Sequence, residues 1–210
     1  LDVLIQSINE FQADFRLICE KHYPAIHNQG MTEHHLGLAL SRRLTRTLVE
    51  FGHSCEYHPI ELYKNTHDKA PHYRITSDIG TVWILTHHFV SANQTYREQV
   101  STKIEIWREE YGYVIQPNDL LLLVSDHWIN RQTQSRNLLY WWMGSLPDHI
   151  EDYRSQGITL YECDSQFTQL LETAFNKSPC FIKFTHPLMR SQDNDSFKKY
   201  LQLYAVLQWT

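Results

Sequence analysis

Asp78, Thr86 and His88 stand around a tight turn in the stretch of this chain whose residue types and spacing best suit metal chemistry. The run is His72-Tyr73-Arg74-Ile75-Thr76-Ser77-Asp78, a turn at Ile79-Gly80, then Thr81-Val82-Trp83-Ile84-Leu85-Thr86-His87-His88-Phe89-Val90. An acid closing one strand, a short turn and a second strand with polar residues at i and i+2 form a layout for holding a divalent cation. Strand alternation puts Val82, Ile84, Thr86 and His88 on one face and Trp83, Leu85, His87 and Phe89 on the other. A threonine hydroxyl is neutral and replaces a bridging carboxylate poorly. A neutral histidine takes a proton near pH 7 or ligates a softer ion such as Mn²⁺. The same letters have a plainer reading. Asp and Gly suit tight turns, Thr is an ordinary strand former, and His87-His88 suit a core and a surface position.

The elements that must position these residues alternate along the chain. Val3, Leu4, Ile8, Phe11, Phe15 and Ile18 predict a helix over 2–21. A turn at Tyr23-Pro24 and a loop at 28–30 follow. Thr32 is placed to cap a second helix with Leu36, Leu40, Leu44 and Leu48 on one face, ended by Gly52. A strand is expected within 53–63, a polar loop over 64–71, and a hairpin of strands 72–78 and 81–90. The next helix runs from about Asn93 to Tyr111, and the strand 119–125, apolar on both faces, belongs at the centre of a sheet. Helices are expected over 135–143 and from Pro147, a strand over 158–163, a helix over 165–176, a strand over 180–184, and a final helix carrying Phe197, Leu201, Tyr204 and Leu207. Three strands joined by short turns pair antiparallel, whereas strand–helix–strand units need parallel pairing.

Length and composition bound the reading. A chain of 210 residues with 42% hydrophobic and 13% aromatic residues buries a real core and is expected to form one domain. No apolar run approaches the roughly 20 residues of a membrane span, and the start lacks the marks of a secretory leader. Cys19, Cys55, Cys163 and Cys180 form no CxxC pair, so free thiols and a cytoplasmic location are expected. The 13 histidines match no zinc signature. P-loop, GxGxxG and GxSxG motifs are absent. Cys19 near His22 and His27 suggests a thiol nucleophile only superficially, because it lies on the apolar-periodic helix. A net charge of −5 gives no global electrostatic case for nucleic acid, although a local basic surface suffices for binding.

The order of helix, three strands, helix and strand, with Asp78 and the strand that follows it, resembles the PD-(D/E)xK nuclease superfamily over roughly residues 32–163. The resemblance implies an α/β fold with a mixed sheet flanked by helices and a restriction-endonuclease-like core, with 164–210 as a C-terminal extension. It implies a nuclease-like protein of DNA processing or defence that hydrolyses phosphodiesters with Mg²⁺ or Mn²⁺. Asp78 matches the motif's first acid, and Glu33 matches a glutamate on the first core helix that assists the metal. Thr86 and His88 stand where the family has its (D/E) and Lys, and both depart from it. The implied catalytic set is Glu33, Asp78 and His88, with Glu33 and Asp78 on the metal. The alternative is a protein that keeps the fold, has lost the reaction, and binds nucleic acid or a protein partner.

Phosphate contacts are expected from Arg42, Arg43 and Arg46 on the second helix, and from Arg131 and Arg136 in the polar segment after the central strand. Loops at the carboxyl ends of strands often carry binding in open α/β sheets. A solvated helix face explains the first three equally simply. Trp141-Trp142 could stack on a base or pack in the core.

Overall fold

A computed structural model describes residues 1–22, 33–62, 72–189 and 196–210. The cap expected at Thr32, the turn at Tyr23-Pro24, the loops at 28–30 and 64–71 and the side chains of Cys19 and His22 lie outside the described residues, as does His27. The elements are helix α1 (Asp2–His22), helix α2 (Glu33–Glu50), strands β1 (Cys55–Ile60), β2 (His72–Ser77) and β3 (Gly80–Phe89), helix α3 (Gln94–Tyr111) and strand β4 (Leu120–Trp128). Short helices α4 (Thr133–Arg136), α5 (Leu138–Met143) and α6 (Ile150–Ser155) precede helix α7 (Phe167–Phe175) and strands β5 (Phe181–Thr185) and β6 (Tyr200–Gln208).

The protein is α/β, with a mixed sheet in the order β1-β2-β3-β4-β6-β5. The first three strands are antiparallel neighbours, as their short connections require. β3 and β4 run parallel, joined by the α3 crossover, and β6 pairs antiparallel with β4 on one side and β5 on the other. Helices cover both faces. On one, Leu4, Ile8, Phe11 and Phe15 of α1 and the Leu36, Leu40, Leu44 and Leu48 stripe of α2 meet Ile84, Leu122 and Tyr204 of the sheet. On the other, Val100, Ile104 and Trp107 of α3 pack with Trp142 and Phe167 against Trp83, Leu121 and Leu203. No helix among the described residues is long and apolar enough to cross a membrane.

Four expectations are corrected. The C-terminal segment is a strand, not a helix: Tyr200–Gln208 takes the place beside β4, and all its residues but the last are buried. Leu201 and Leu207 belong to one face of the sheet and Tyr204 to the other, so the helix-like spacing was incidental. Residues 158–163 form no strand, because β6 holds the position they would need. Ile158 and Leu160 instead pack into the core, and the Tyr161 N–H donates to the Arg136 carbonyl at 3.2 Å. The helix expected over 135–143 is broken at Asn137 into α4 and α5, and α6 starts at Ile150, not Pro147.

Two close approaches set the geometry that matters below. At the end of α2, Gly52 (φ +83°) lets the His53 N–H return to the Leu48 carbonyl at 2.9 Å. Gly37 lies directly over the sheet. A Cβ there would stand 2.7 Å from Thr86 Cγ2 and 2.7 Å from the Tyr73 ring. Only a glycine lets α2 lie this low, with its first turn over the end of β3.

Candidate functional site

β3 is longer than β2, and beyond Ile84 none of the described residues pairs with it as a strand on the β2 side. The pairing runs from Ser77↔Gly80 to Tyr73↔Ile84. Beyond that, buried backbone groups of Thr86 and His88 need partners, because an unpaired one costs about 1–3 kcal/mol. Side chains from three elements supply them. The Thr86 N–H donates to His72 Nδ1 at 3.2 Å, Lys103 Nζ of α3 donates to the Thr86 carbonyl at 2.5 Å, and the His88 N–H donates to Glu33 Oε1 at 2.7 Å. Glu33 Oε2 also lies 3.4 Å from Lys103 Nζ, and Oε1 lies 3.4 Å from His87 Nδ1. One carboxylate thus serves a backbone N–H, a buried ammonium and an imidazole.

The parallel register sets His88 beside Asp126 and Phe89 beside His127. His88 Nδ1 is 2.6 Å from Asp126 Oδ1, and the Tyr200 hydroxyl donates to Asp126 Oδ2 at 2.7 Å. Asp126 is fully buried, and a buried carboxylate persists only when paired. Burial alone would depress the His88 pKa. The hydrogen bond to Asp126, its charge and that of Glu33 outweigh burial, and the pKa is raised above 6.5. With Nδ1–H held by Asp126, the basic nitrogen of the neutral ring is Nε2. Nε2 makes no hydrogen bond among the described residues, and the side chain stays 18% exposed, enough for a ligand to reach it.

His127 plays a different part. Its Nδ1 is 2.7 Å from the Phe89 carbonyl and its Nε2 2.6 Å from Ser135 Oγ, which also accepts the Asn130 N–H at 2.8 Å. Burial drives its pKa down to about 4. It is a neutral tie that fastens the 129–135 loop to the carboxyl ends of β3 and β4. Arg97 reinforces that loop, donating to Asn137 Oδ1 at 2.5 Å and to the Gln134 carbonyl at 3.2 Å, with its guanidinium over the Trp141 ring.

The structure brings Glu33 and His88 together and leaves Asp78 apart. Asp78 sits at the β2–β3 turn, half-exposed, with Oδ2 3.2 Å from His53 Nδ1. Gly80 to His88 spans eight residues of strand, about 25 Å at ~3.3 Å each. The sheet instead sets His72 against Thr86, with Nδ1 3.5 Å from Oγ1. Thr86 is completely buried beneath α2. Arg43 is committed to α1, bonded to Asp14 at 2.5 and 2.9 Å and to Glu10 at 3.3 Å, and Arg46 pairs with Glu50 at 2.8 Å. Arg136 is half-buried, whereas Arg42 and Arg131 are exposed. Trp141 and Trp142 are both buried against Phe167.

Lys103, Asp126, Tyr200 and His72 were missed from the sequence. Lys103 had a signal, as a lysine inside the buried Val100–Ile104–Trp107 stripe. Asp126 lies one residue beyond the strand expected at 119–125, and only the β3–β4 register sets it next to His88. Among the described residues no group of three or more His, Cys, Asp or Glu is arranged to hold a metal ion. Both oxygens of Glu33 and both of Asp126 already face protein donors.

Comparisons of the chain with protein-family models, with curated proteins and with solved structures find no match.

Proposed function

We infer that this is a nuclease-like protein that binds nucleic acid at the carboxyl ends of β3 and β4, and that metal-dependent cleavage has been lost from that place. The nuclease-like part rests on the resemblance and on the run α2-β1-β2-β3-α3-β4, with β3 and β4 parallel, which is the order the resemblance implies. The loss of metal chemistry rests on one observation: of the two metal ligands the resemblance implies, Asp78 stands apart beside His53, and Glu33 is drawn into a Glu33–Lys103–His88–Asp126–Tyr200 network. Mg²⁺ needs carboxylate oxygens that are free to coordinate it. Here they are engaged by an ammonium, a peptide N–H, an imidazole and a phenol. The residues present do not fit the ion.

Local charge supports nucleic acid over a protein partner. Residues 79–97 and 127–147, which contain the ends of β3 and β4 and the loops beyond them, contain no Asp or Glu, but include Arg97, Arg131 and Arg136. Glu98 and Asp148 border these stretches, and Glu162 sits between Tyr161 and Cys163, which bond to the Arg136 and Asn137 carbonyls; within the stretches themselves the charge is positive. Arg131, exposed on the loop after β4, is the natural phosphate contact, since such contacts supply most non-specific affinity. The test pairs binding with cleavage. Single- and double-stranded oligonucleotides should bind in EDTA with a steep salt dependence. Neither Mg²⁺ nor Mn²⁺ should produce cleavage of DNA that Asp78→Ala abolishes. Metal-dependent DNA cleavage lost with Glu33→Gln would reject this reading.

A further inference from the structure

We propose that His88 is a general base for metal-free cleavage of single-stranded RNA, held by Asp126 and Tyr200. The proposal deepens the nucleic-acid reading and depends on it. Three observations carry it. The imidazole is fixed at both ends of its own residue, by Asp126 on Nδ1 and by Glu33 on its peptide N–H. Its second nitrogen has no partner among the described residues and the ring reaches the surface. It stands at the carboxyl ends of the two parallel strands, where ligands of open α/β sheets bind.

A base held by a buried carboxylate is the orienting half of a nucleophile-activating site. The nucleophile is what the site lacks. The Thr86 hydroxyl is buried under α2, and among the described residues no group of three or more His, Cys, Asp or Glu is arranged to hold a metal that could activate water. Such a base acts on a substrate that brings its own nucleophile. RNA does, because each 2′-hydroxyl lies next to the phosphate it can attack. In the step, His88 Nε2 takes the 2′-hydroxyl proton while O2′ bonds to phosphorus. The P–O5′ bond breaks, the 5′-oxygen takes a proton from solvent, and the imidazolium later returns its proton to solvent. The products are a 2′,3′-cyclic phosphate and a 5′-hydroxyl, with no net consumption of water or cofactor. Asp126 stabilises the imidazolium and fixes the tautomer, so it is a positioning residue, as is Tyr200 behind it.

The experiment uses the whole chain, in excess over a labelled single-stranded RNA and its all-2′-deoxy counterpart, both in EDTA, with products read by mass spectrometry. The expected result is a 2′,3′-cyclic phosphate from the RNA and intact binding without cleavage of the deoxy strand. His88→Gln should slow cleavage by roughly 10²- to 10⁴-fold and leave deoxy-strand binding within a few-fold. His88→Gly should be rescued by added imidazole, which a variant that merely fails to fold would not be. Asp126→Asn should move the lower limb of the pH–rate profile towards acid; Glu33 on α2, His87 on β3, Lys103 on α3, His127 on β4 and Tyr200 on β6 are the other titratable groups around the ring. Asp78→Ala should cleave like the parent. Deoxy-strand binding with no cyclic phosphate overturns this proposal alone, and so does cleavage that survives His88→Gln. Failure to bind either strand overturns the binding reading as well.

Discussion

The Glu33 carboxylate finishes the end of β3: its Oε1 accepts the peptide N–H of His88 at 2.7 Å, across 55 residues of chain. The first residue of α2 thereby does for the His88 N–H what a strand partner does, and Lys103 of α3 does the same for the Thr86 carbonyl. Glu33→Ala removes one partner of a buried charge pair and orphans a peptide N–H. Urea denaturation should show a loss of about 3–5 kcal/mol. Glu33→Ala with Lys103→Met should lose less than the sum of the two single changes.

Gly37 is the contact that lets Glu33 arrive there. Gly37→Ala places a methyl 2.7 Å from Thr86 Cγ2 and from the Tyr73 ring, both in a packed core. The expected cost is about 1–3 kcal/mol. Adding Thr86→Ser, which deletes the opposing methyl, should recover part of it in the same denaturation assay.

Stability should fall steeply in mild acid. His127 is buried and His186 half-buried, and desolvation holds both pKa values at about 4, so both stay neutral in the folded state while the unfolded chain takes up protons near 6.5. Their contribution is full above that value and is lost as pH falls from about 6.5 towards 4, at about 1.4 kcal/mol per pH unit for each. His88 works in the opposite sense. Its pKa is raised in the folded state, so its pairing with Asp126 stabilises fully below about 6.5 and the gain is lost as pH rises through the folded value. Melts from pH 4 to 9 should show His127→Gln flattening the acid limb and His88→Gln costing more at pH 6 than at pH 8.5.

Restoring the family letters should not restore a metal site. Thr86→Glu with His88→Lys puts a carboxylate at a fully buried position under Gly37, about 20 Å along the strand from the turn that holds Asp78. It also leaves Asp126 without its imidazole. The variant should lose about 3–5 kcal/mol, and millimolar Mg²⁺ should not raise its melting temperature relative to the parent.

Much of the fold is legible where burial is one-sided. The four-residue leucine spacing of α2, the alternation of β3 and the long connection through α3 each have one physical solution, and together they dictate the antiparallel hairpin and the parallel β3–β4 pair. Burial on both faces left the central run 120–124 legible but not the C-terminal one. Tyr200–Gln208 is nearly all apolar, and such a run has no period that separates strand from helix. In the site, Glu33 and His88 were legible as polar residues opening a helix and closing a strand. Asp78 drew attention through its neighbours Ile79 and Gly80, which are turn chemistry. Asp126 and Tyr200 become partners of His88 only through the β3–β4 and β4–β6 registers, which local pattern does not specify.

The central claim is that nucleic acid binds at the carboxyl ends of β3 and β4 without a metal, and fluorescence anisotropy with a labelled 2′-deoxy single strand in EDTA tests it most directly. Saturable binding that weakens steeply with salt is expected. Arg131→Ala should weaken it by about 3- to 10-fold and lower the salt slope by about one, while Asp78→Ala leaves it unchanged. Absence of binding at low salt, binding that requires Mg²⁺, or binding lost with Asp78→Ala and kept with Arg131→Ala would contradict it.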